Sequence, residues 1–355
     1  MPADIPVCQI WVHEEQLKRL QRNVWSDRFV PAAMTRNGEQ APILMRYRGG
    51  HTREYPKRSY EIAISGKTYH YNAEYDDPSL IRNALSFRFF EWIGVPAPST
   101  RHCLLYLNGH SLGVYLEIES VDRRFFRKRG IGAKALFYAS NDNANFGLRS
   151  GGRKRRKASL FSGYQQMIGS VADRRALIGF VRRLNTGPAR SETLRRYLHR
   201  RLDIDNYLHW LAGAVFTGNY DGFDQNYALY LHEGTQKYRI IPWDYEGTWG
   251  RNCYGKPCGS SLVSVMGYNR LTRRLLLYPS VRKRYKTILD RILKTHFTVQ
   301  KIVPAAVEMH RSIRPYVYRD SARKWSFGVF DGEPKFIRHY VEERRQKIAE
   351  AIRTL

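Results

Sequence analysis

The sequence predicts an α+β fold in which a strand-rich N-terminal part precedes a mainly helical part. Within the first 120 residues, alternating and helical patterns follow one another, and Asn108-Gly109 marks a tight turn between two strands. From Val171 onward, apolar residues recur mostly at helical spacing. One aromatic-rich hairpin, from Tyr227 to Pro242, interrupts these helices. Strands and helices that are segregated along the chain are typical of α+β proteins.

Length and composition indicate a globular protein with a large core. The 355 residues include 43% hydrophobic residues, with 24 Tyr, 16 Phe and 7 Trp, which argues against disorder. No run of 18 apolar residues occurs, so neither a transmembrane helix nor a membrane partner is expected. The first residues lack a basic segment followed by an apolar core, so no secretory signal is expected.

The chain carries a net charge of +28, from 60 Lys and Arg against 32 Asp and Glu. Such an excess attracts polyanions, which include nucleotides, nucleic acid and acidic protein surfaces. The densest basic run, 153–157, is interpreted first as a solvated loop and second as a patch that attracts phosphate. No nucleic-acid-binding motif accompanies the charge, so nucleic acid is not an expected partner.

The four cysteines are scattered along the chain, which is typical of a protein from a reducing compartment. Cys253 and Cys258 are separated by four residues, without a second pair at zinc-binding spacing. We therefore expect free thiols at these two positions.

The N-terminal part contains the strongest local signals. A helix is predicted over 13–24, and strands over 29–34 and 43–48 are joined by the Asn37-Gly38 turn. Alternation over 57–64 predicts a strand that places Lys57 and Arg58 on opposite faces.

Asp77-Pro78 predicts a helix start, and the helix ends at Gly94. The division predicted from these elements is an N-terminal lobe over 1–120 and a C-terminal lobe over 121–355.

Carboxylates lie in the loops at both outer ends of the Tyr227–Pro242 hairpin. Asp221 and Asn226 precede the first strand, and Asp244 follows the second. Antiparallel strands bring their outer ends together, so these three residues are expected to converge. Protein kinases use an Asp, an Asn five residues later and an Asp after the next hairpin to orient the acceptor and hold metal. The alternative is a turn whose Asn and Asp side chains bind only local backbone groups.

Five motifs, in order, resemble the CotH (spore coat protein H) family. They are R-Y-R-G-G-H-T-R-E-Y-P-K-R-S-Y-E-I, N-A-E-Y-D-D-P-S-L-I-R-N-A-L, L-N-G-H-S-L-G-V-Y-L-E-I-E-S-V-D, F-T-G-N-Y-D-G-F-D-Q-N-Y-A-L-Y and I-P-W-D-Y-E-G-T-W-G-R. The resemblance covers nearly the whole chain. It implies a two-lobed, atypical protein-kinase-like fold that uses ATP and Mg²⁺ or Mn²⁺ to phosphorylate Ser-rich spore coat proteins, in the mother-cell cytoplasm and the spore coat of a spore former.

The resemblance also implies roles for individual residues. Asp221 matches the catalytic Asp, and Asn226 and Asp244 match the metal ligands. The nucleotide-binding residues that it implies are Lys57 on the phosphates, with Arg58 as the second choice, Glu119 at a hinge and Trp243 on adenine.

Three departures from kinase patterns stand out. Glu246 replaces a second Asp that many relatives carry, and its role in metal binding stays open. No Gly-rich loop of the G-x-G-x-x-G kind occurs. The carboxylate partner of Lys57 is not fixed by the sequence, with Glu74 and Asp77 as the candidates.

Two other functions remain compatible with these residues. The chain could be an inactive kinase-like scaffold of the coat, although intact Lys57, Asp221, Asn226 and Asp244 favour an enzyme. It could also transfer a nucleotidyl group instead of a phosphoryl group. The positive net charge leaves open how the substrate binds, because substrates of the family tend to be basic and a basic enzyme should repel them.

Overall fold

A computed structural model describes residues 5–151 and 155–355 of the chain. The fold is mixed α+β, as the sequence predicts, with a β-rich part and a helical part. The chain divides into two compact units. The first consists of Met1–Leu85, Pro98–Ser120 and Val303–Phe336, and the second consists of Ser86–Ala97, Val121–Ile302 and Ile337–Leu355.

The first unit contains a closed seven-stranded barrel. Its strands are β1 (Val7–Trp11), β2 (Val30–Arg36), β3 (Glu39–Arg48), β4 (Ser59–Ile64), β5 (Lys67–Asn72), β6 (Thr100–Leu107) and β7 (His110–Glu119). Hydrogen bonding follows the order β1-β2-β3-β4-β5-β7-β6. Strand β1 closes the barrel by pairing in parallel with β6, while the other neighbouring pairs are antiparallel. Closure pairs both edges of the sheet, so neither is left open.

Tight turns set the register of the barrel hairpins. Asn37 and Gly38 have φ of 52° and 81°, and Asn108 and Gly109 have φ of 49° and 82°. Positive φ at both central residues matches the right-handed twist of the flanking strands, and Asn and Gly tolerate it best. Both turns lie where the sequence predicts them.

Apolar side chains from every strand fill the inside of the barrel. This cluster is Cys8, Ile10, Val12, Leu20, Val30, Met34, Ile43, Met45, Tyr47, Tyr60, Ile62, Tyr71, Ala73, Cys103, Leu105 and Tyr115. Leu20 belongs to helix α1 (Glu14–Arg22), whose apolar side packs on the cluster. Burial of this surface is the main favourable contribution to the stability of the unit.

The residues from 303 to 336 are held to residues 76–82 of the same unit by buried ion pairs. Arg82 contacts Glu333 at 2.5 Å and also Asp77, and Lys324 contacts Asp76. Both Arg82 and Glu333 are almost fully buried, so each charge depends on its partner.

The second unit contains a four-stranded antiparallel sheet in the order β11-β10-β8-β9. Its strands are β8 (Ala133–Ala139), β9 (Tyr164–Ile168), β10 (Tyr227–His232) and β11 (Tyr238–Pro242). The observed bounds of β10 and β11 are those that the sequence predicts.

The described residues also form α-helices beyond α1. They are α2 (Arg82–Trp92), α3 (Arg123–Lys128), α4 (Val171–Asn185), α5 (Glu192–Arg201), α6 (Ile204–Thr217), α7 (Arg270–Leu275), α8 (Pro279–Thr295), α9 (Val299–Val317) and α10 (Phe327–Thr354). Helix α6 is buried along most of its length and ends at Gly218, whose φ is 72°. A left-handed Gly commonly ends a helix, and here it turns the chain into the Asp221 loop.

Some boundaries differ from the predicted ones. The sequence predicts a strand from Lys57, whereas β4 begins at Ser59, because the chain bends at Pro56, which has no amide N–H for a strand ladder. The sequence also predicts a helix start at Asp77-Pro78, whereas α2 begins at Arg82. The Asp77 carboxylate accepts hydrogen bonds from the backbone of Ser79 and Arg82, at 2.8 and 2.9 Å, which holds this segment as a turn.

The predicted boundary after residue 120 is also a boundary between the two compact units. Two segments differ from the predicted division. Residues 86–97 belong to the second unit, and residues 303–336 belong to the first. Contacts such as Arg82–Glu333, which join residues 251 positions apart, cannot be inferred from local patterns.

Candidate functional site

The hairpin β10–β11 places Asn226 opposite Trp243. Tyr227 pairs with Pro242, and one step further the Trp243 N–H donates to the Asn226 carbonyl at 3.2 Å. Asn226 and Asp244 both have φ of 58°, in the left-handed region that Asn and Asp tolerate better than most residues. The two loops therefore leave the hairpin side by side.

Asp221 follows α6 in the same unit and lies within electrostatic range of Asp244. Burial raises the pKa of Asp221 above its ordinary value, and the Asp244 charge raises it further. The loops are also tied together, because the Asn219 side-chain amide donates to the Asp244 carbonyl at 3.5 Å. Two carboxylates and the neighbouring Asn226 thus lie at one end of the sheet.

A thiol and a phenol accompany Asp221. The Tyr220 hydroxyl and the Cys253 Sγ atom are 2.8 Å apart, and both groups lower the pKa of Asp221 by hydrogen bonding. Burial raises the pKa of Cys253 to about 11, so the thiol stays protonated near neutral pH and adds no negative charge. None of the four cysteines forms a disulfide, and the sequence predicts free thiols at Cys253 and Cys258. The sequence gives no signal that brings Cys253 beside Asp221.

Trp243 and Glu246 flank the carboxylates. Trp243 is half-buried, packs against the cluster that contains Phe126 and Tyr230, and meets the Tyr138 ring edge-on at 5.2 Å. Glu246 is half-buried, and its charge contributes to the raised pKa of Cys253. Part of the Trp243 side chain is therefore engaged in packing of the second unit.

Oxygen atoms are the ligands that this end of the sheet offers. Within residues 5–151 and 155–355, no cluster of three or more His, Cys, Asp or Glu side chains could hold a metal ion. Mg²⁺ usually takes one or two protein carboxylates and completes its shell with phosphate and water. The pair Asp221 and Asp244 with the Asn226 amide fits that donor chemistry, and two nearby carboxylates favour a cation between them.

In the first unit, Lys57 is buried in an ion pair with Asp320. The Lys57 ammonium donates to the Asp320 carboxylate and to the Val114 carbonyl, each at 2.7 Å. The two side chains are 2% and 1% exposed, so each charge requires the other. Burial lowers the pKa of Lys57, and the Asp320 charge opposes that shift.

Neither carboxylate proposed from the sequence forms an ion pair with Lys57, although the Glu74 charge raises the Lys57 pKa slightly from a greater distance. The Glu74 carboxylate accepts from the Asn83 amide at 3.0 and 3.2 Å, and Asp77 pairs with Arg82. Asp320 is the partner instead. It lies 263 residues from Lys57 along the chain, and no local pattern marks it.

A cavity of about 10 Å³ lies beside Lys57, lined by Lys57, Ala73, Glu74, Tyr75, Asp77, Pro78, Leu80, Val317, Arg323, Lys324, Trp325 and Phe330. A cavity of this size holds about one water molecule. Among the described contacts, two of the three N–H donors of Lys57 have partners, and the cavity is far too small for a nucleotide.

Arg58 and Glu119 also lie in the first unit. Arg58 donates from Nε to the Arg53 carbonyl at 2.7 Å and lies over the Tyr47 ring, so its environment differs from that of Lys57. Glu119 ends β7 and accepts from the Ser99 N–H and hydroxyl, at 3.1 and 3.0 Å. The Glu119 carboxylate thus holds the start of β6.

The basic run 153–157 is only partly described, since Arg153 and Lys154 lie outside the described residues. Lys157 donates to the Asn143 carbonyl and to the Asn145 side chain, the latter at 2.8 Å. Burial lowers the pKa of Lys157 to about 8. Lys157 therefore anchors its loop and is not a freely solvated charge.

A family model described as "CotH kinase protein" matches residues 45–348. Inner spore coat protein H of Bacillus subtilis (strain 168) is 39% identical over 360 residues, covering 99% of each chain. The chain belongs to the CotH family. A second relative in this family, inner spore coat protein H-like protein of the same organism, is 28% identical and covers 95% of each chain.

Solved structures similar to this CotH family member include two chains at low sequence identity. The proinflammatory kinase CtkA of Helicobacter pylori is 10% identical, with a TM-score of 0.34, over 83% of this chain and 93% of that one. A chain of the Shewanella oneidensis HipA, HipB and operator DNA complex is 12% identical, with a TM-score of 0.42, over 100% of this chain and 75% of that one. The family assignment rests on the sequence matches.

No helix in the described parts of this CotH family member is both long and apolar enough to cross a bilayer.

Proposed function

We propose that this CotH family member is a protein serine kinase that uses ATP and a divalent cation to phosphorylate spore coat proteins. The observation that carries the proposal is the position of Asp221 and Asp244, whose charges interact at one end of the β10–β11 sheet. Kinases place a base and a metal ligand on comparable loops around a hairpin.

Asp244 and Asn226 are the proposed ligands for Mg²⁺ or Mn²⁺. Both residues adopt left-handed backbone conformations beside the hairpin end, and both offer oxygen donors. A bound divalent cation would supply charge that stabilises the phosphates during transfer. Glu246, which is half-buried on the same segment, is not needed for this donor set.

Asp221 is the proposed acceptor of the serine hydroxyl proton. Burial and the Asp244 charge raise its pKa, which makes the carboxylate a better base than an exposed Asp. The hydroxyl loses its proton late in a loose phosphoryl-transfer transition state, so a weak base suffices. Tyr220 and Cys253 partly oppose this shift by lowering the pKa of Asp221.

Lys57 is proposed as the cation that acts on the nucleotide phosphates, with Asp320 as its positioning residue. The ion pair fixes the ammonium, and one N–H donor remains after its two described hydrogen bonds. Because the adjoining cavity holds only about one water molecule, contact with a phosphate requires the residues that line it to move. Arg58, Glu119 and Trp243 keep the nucleotide-binding roles that the family resemblance implies. The packing of Trp243 against Tyr138 supports at most partial stacking on a base.

The proposed acceptors are Ser-rich coat proteins, and the proposed location is the mother-cell cytoplasm and the forming coat. Support comes from the names of the two Bacillus subtilis relatives, which are spore coat proteins and match nearly the whole chain.

Mass spectrometry of a Ser-rich acceptor tests the proposal. After incubation with ATP and Mg²⁺, serines should gain a phosphate, and the Asp221→Asn variant should leave them unmodified. Addition of a whole nucleotide would establish nucleotidyl transfer instead. An unmodified acceptor with every divalent cation would support an inactive scaffold.

A further inference from the structure

Three arginines of the short helix α7 lie on one helical face. Arg270, Arg273 and Arg274 follow the spacing i, i+3 and i+4, which brings side chains together on a helix. Burial lowers the pKa of Arg270, and the positive charges of Arg274 and Arg273 lower it further. The three charges therefore interact. Arg270 is oriented by a hydrogen bond from its Nε to the Asn185 side chain at 3.0 Å. We call these three residues the arginine cluster.

The arginine cluster is tied to the loop that carries Asp221. Asn269, the residue before the cluster, donates from its side chain to the Phe223 carbonyl at 2.8 Å. The rings of Tyr268 and Phe223 are 4.3 Å apart, and the Tyr268 hydroxyl donates to the Tyr220 carbonyl. Arg273 also lies within electrostatic range of Asp224, three residues after Asp221. The cluster therefore borders the proposed acceptor site.

Arg274 is a buried residue with one guanidinium nitrogen, Nε, that has no hydrogen-bond partner in the described structure. The residue is 6% exposed, and its buried Nε makes no hydrogen bond with any residue in 5–151 or 155–355. No member of the cluster forms an ion pair within those residues. A buried charge without a partner is costly, and guanidinium groups pair best with carboxylate or phosphate. Asp224 is a carboxylate that interacts with Arg273, while the buried Nε of Arg274 still lacks an acceptor.

We propose that the arginine cluster binds a phosphoserine of the acceptor chain, so that serines near an existing phosphoserine are preferred acceptors. This inference rests on the proposed kinase function. A phosphoserine carries nearly two negative charges and three acceptor oxygens, which suits several guanidinium groups. Nucleic acid fits less well, because its evenly spaced phosphates need an extended basic stripe. The preference also accounts for the positive charge of the enzyme, since each transfer makes the acceptor more anionic.

Binding without ATP tests the site separately from catalysis. The probes are two fluorescein-labelled Gly-Ser repeat peptides, identical except that one serine is phosphorylated in one of them. Fluorescence anisotropy at about 0.15 M salt, where exposed charges are largely screened, measures both affinities. Wild type should bind the phosphopeptide about tenfold or more tightly, since hydrogen bonds to charged groups are individually strong.

Two variants and one matched control assign that preference to the cluster. Arg273→Gln removes an exposed charge, and Arg274→Met removes a buried charge while keeping an apolar stem of similar length. Each should reduce the preference for the phosphopeptide about tenfold. Arg274→Met should also unfold at the same temperature as wild type or higher, because a buried polar atom without a partner is gone. Arg311→Gln, at an exposed position of α9, should leave the preference intact.

The transfer assay then separates the site from the proposed function. Faster transfer to the phosphopeptide in wild type, lost in Arg273→Gln, would support the site. Phosphopeptide preference in binding, without transfer to any peptide, would support the site and contradict the kinase proposal. Equal binding of the two peptides, an equal loss in Arg311→Gln, or stronger binding of single-stranded DNA would overturn the site, even if transfer occurs.

Discussion

The charged side chains of Lys57 and Asp320 are buried together when the chain folds. The Lys57 ammonium and the Asp320 carboxylate are 2.7 Å apart and almost fully buried. Removing one partner leaves the other as an uncompensated buried charge. We expect Lys57→Met or Asp320→Ala to lower the free energy of unfolding by about 3–5 kcal/mol, measured by chemical denaturation.

The double variant Lys57→Met/Asp320→Ala is the control for charge rather than packing. It should recover much of the stability lost in Asp320→Ala, because no unpaired charge remains. Lys18→Met, which breaks an exposed pair with Glu14, should change the free energy of unfolding by less than about 1 kcal/mol. A double variant less stable than both single variants would contradict a buried ion pair at this position.

Lys157 makes stability depend on pH. Its pKa is about 8 in the folded chain, below the ordinary value of 10.5. Between these two values the unfolded chain holds a proton that the folded chain lacks, so this group raises stability as pH rises through that window. The neutral amine still has two N–H donors for its two described acceptors.

The measurement is the melting temperature from pH 7 to pH 10. Relative to wild type, Lys157→Met should lose part of the gain that occurs above about pH 8. Lys283→Met, which removes an exposed lysine of α8, is the control for loss of one charge. Parallel curves for wild type and Lys157→Met would show that the lysine is solvated.

Among the structural elements, strand β7 contains Gly113, which leaves the space that the Lys57–Asp320 ion pair requires. Gly113 has φ of 84°, and a Cβ atom there would lie 2.1 Å from the Asp320 carboxylate carbon. The next residue, Val114, donates from its N–H to Asp320 at 3.0 Å and accepts from Lys57. We expect Gly113→Ala to lower the free energy of unfolding by about 3 kcal/mol or more.

Gly38→Ala is the matched control for Gly113→Ala. Gly38 has φ of 81°, but no atom lies within 4 Å of a Cβ added there. Its replacement should cost only the backbone strain, about 1 kcal/mol. If chemical denaturation gives equal losses for both variants, the close approach of Asp320 to Gly113 is not significant.

Local chemistry explains which elements the sequence predicts. The hairpins at Asn37-Gly38 and Asn108-Gly109 follow from turn residues that accept positive φ, and both occur as predicted. Strands β1 and β5 do not appear in the prediction. Strand β1 is five residues long and owes its place to parallel pairing with β6, about 97 residues away. Such pairing leaves little trace in a short sequence window.

Across the whole molecule, the candidate residues of the second unit could be predicted from the sequence because one hairpin links them. Antiparallel pairing of β10 and β11 joins Asn226 to Trp243 beside Asp244, as expected from the loop positions. The role of Asp320 could not be predicted from the sequence, since its position depends on the packing of residues 303–336 in the first unit. Cys253 and Arg274 likewise acquire their surroundings only in the folded chain.

We propose that Asp244 binds the metal and that Asp221, in the same group of carboxylates, accepts the proton. Ligands that bind the folded state raise its melting temperature by mass action. Mg·ATP should therefore stabilise wild type and Asp221→Asn, but not Asp244→Asn. Both variants should lose at least about two orders of magnitude in transfer, which corresponds to roughly 3 kcal/mol.

The most direct test is the melting temperature of wild type, Asp221→Asn and Asp244→Asn, each with and without Mg·ATP, beside a transfer assay on the same preparations. We expect Asp221→Asn to keep most of the stabilisation while losing transfer, and Asp244→Asn to lose both. Equal stabilisation of the two variants would contradict the separate roles. Full transfer activity in either variant would contradict the assignment of these carboxylates to the reaction.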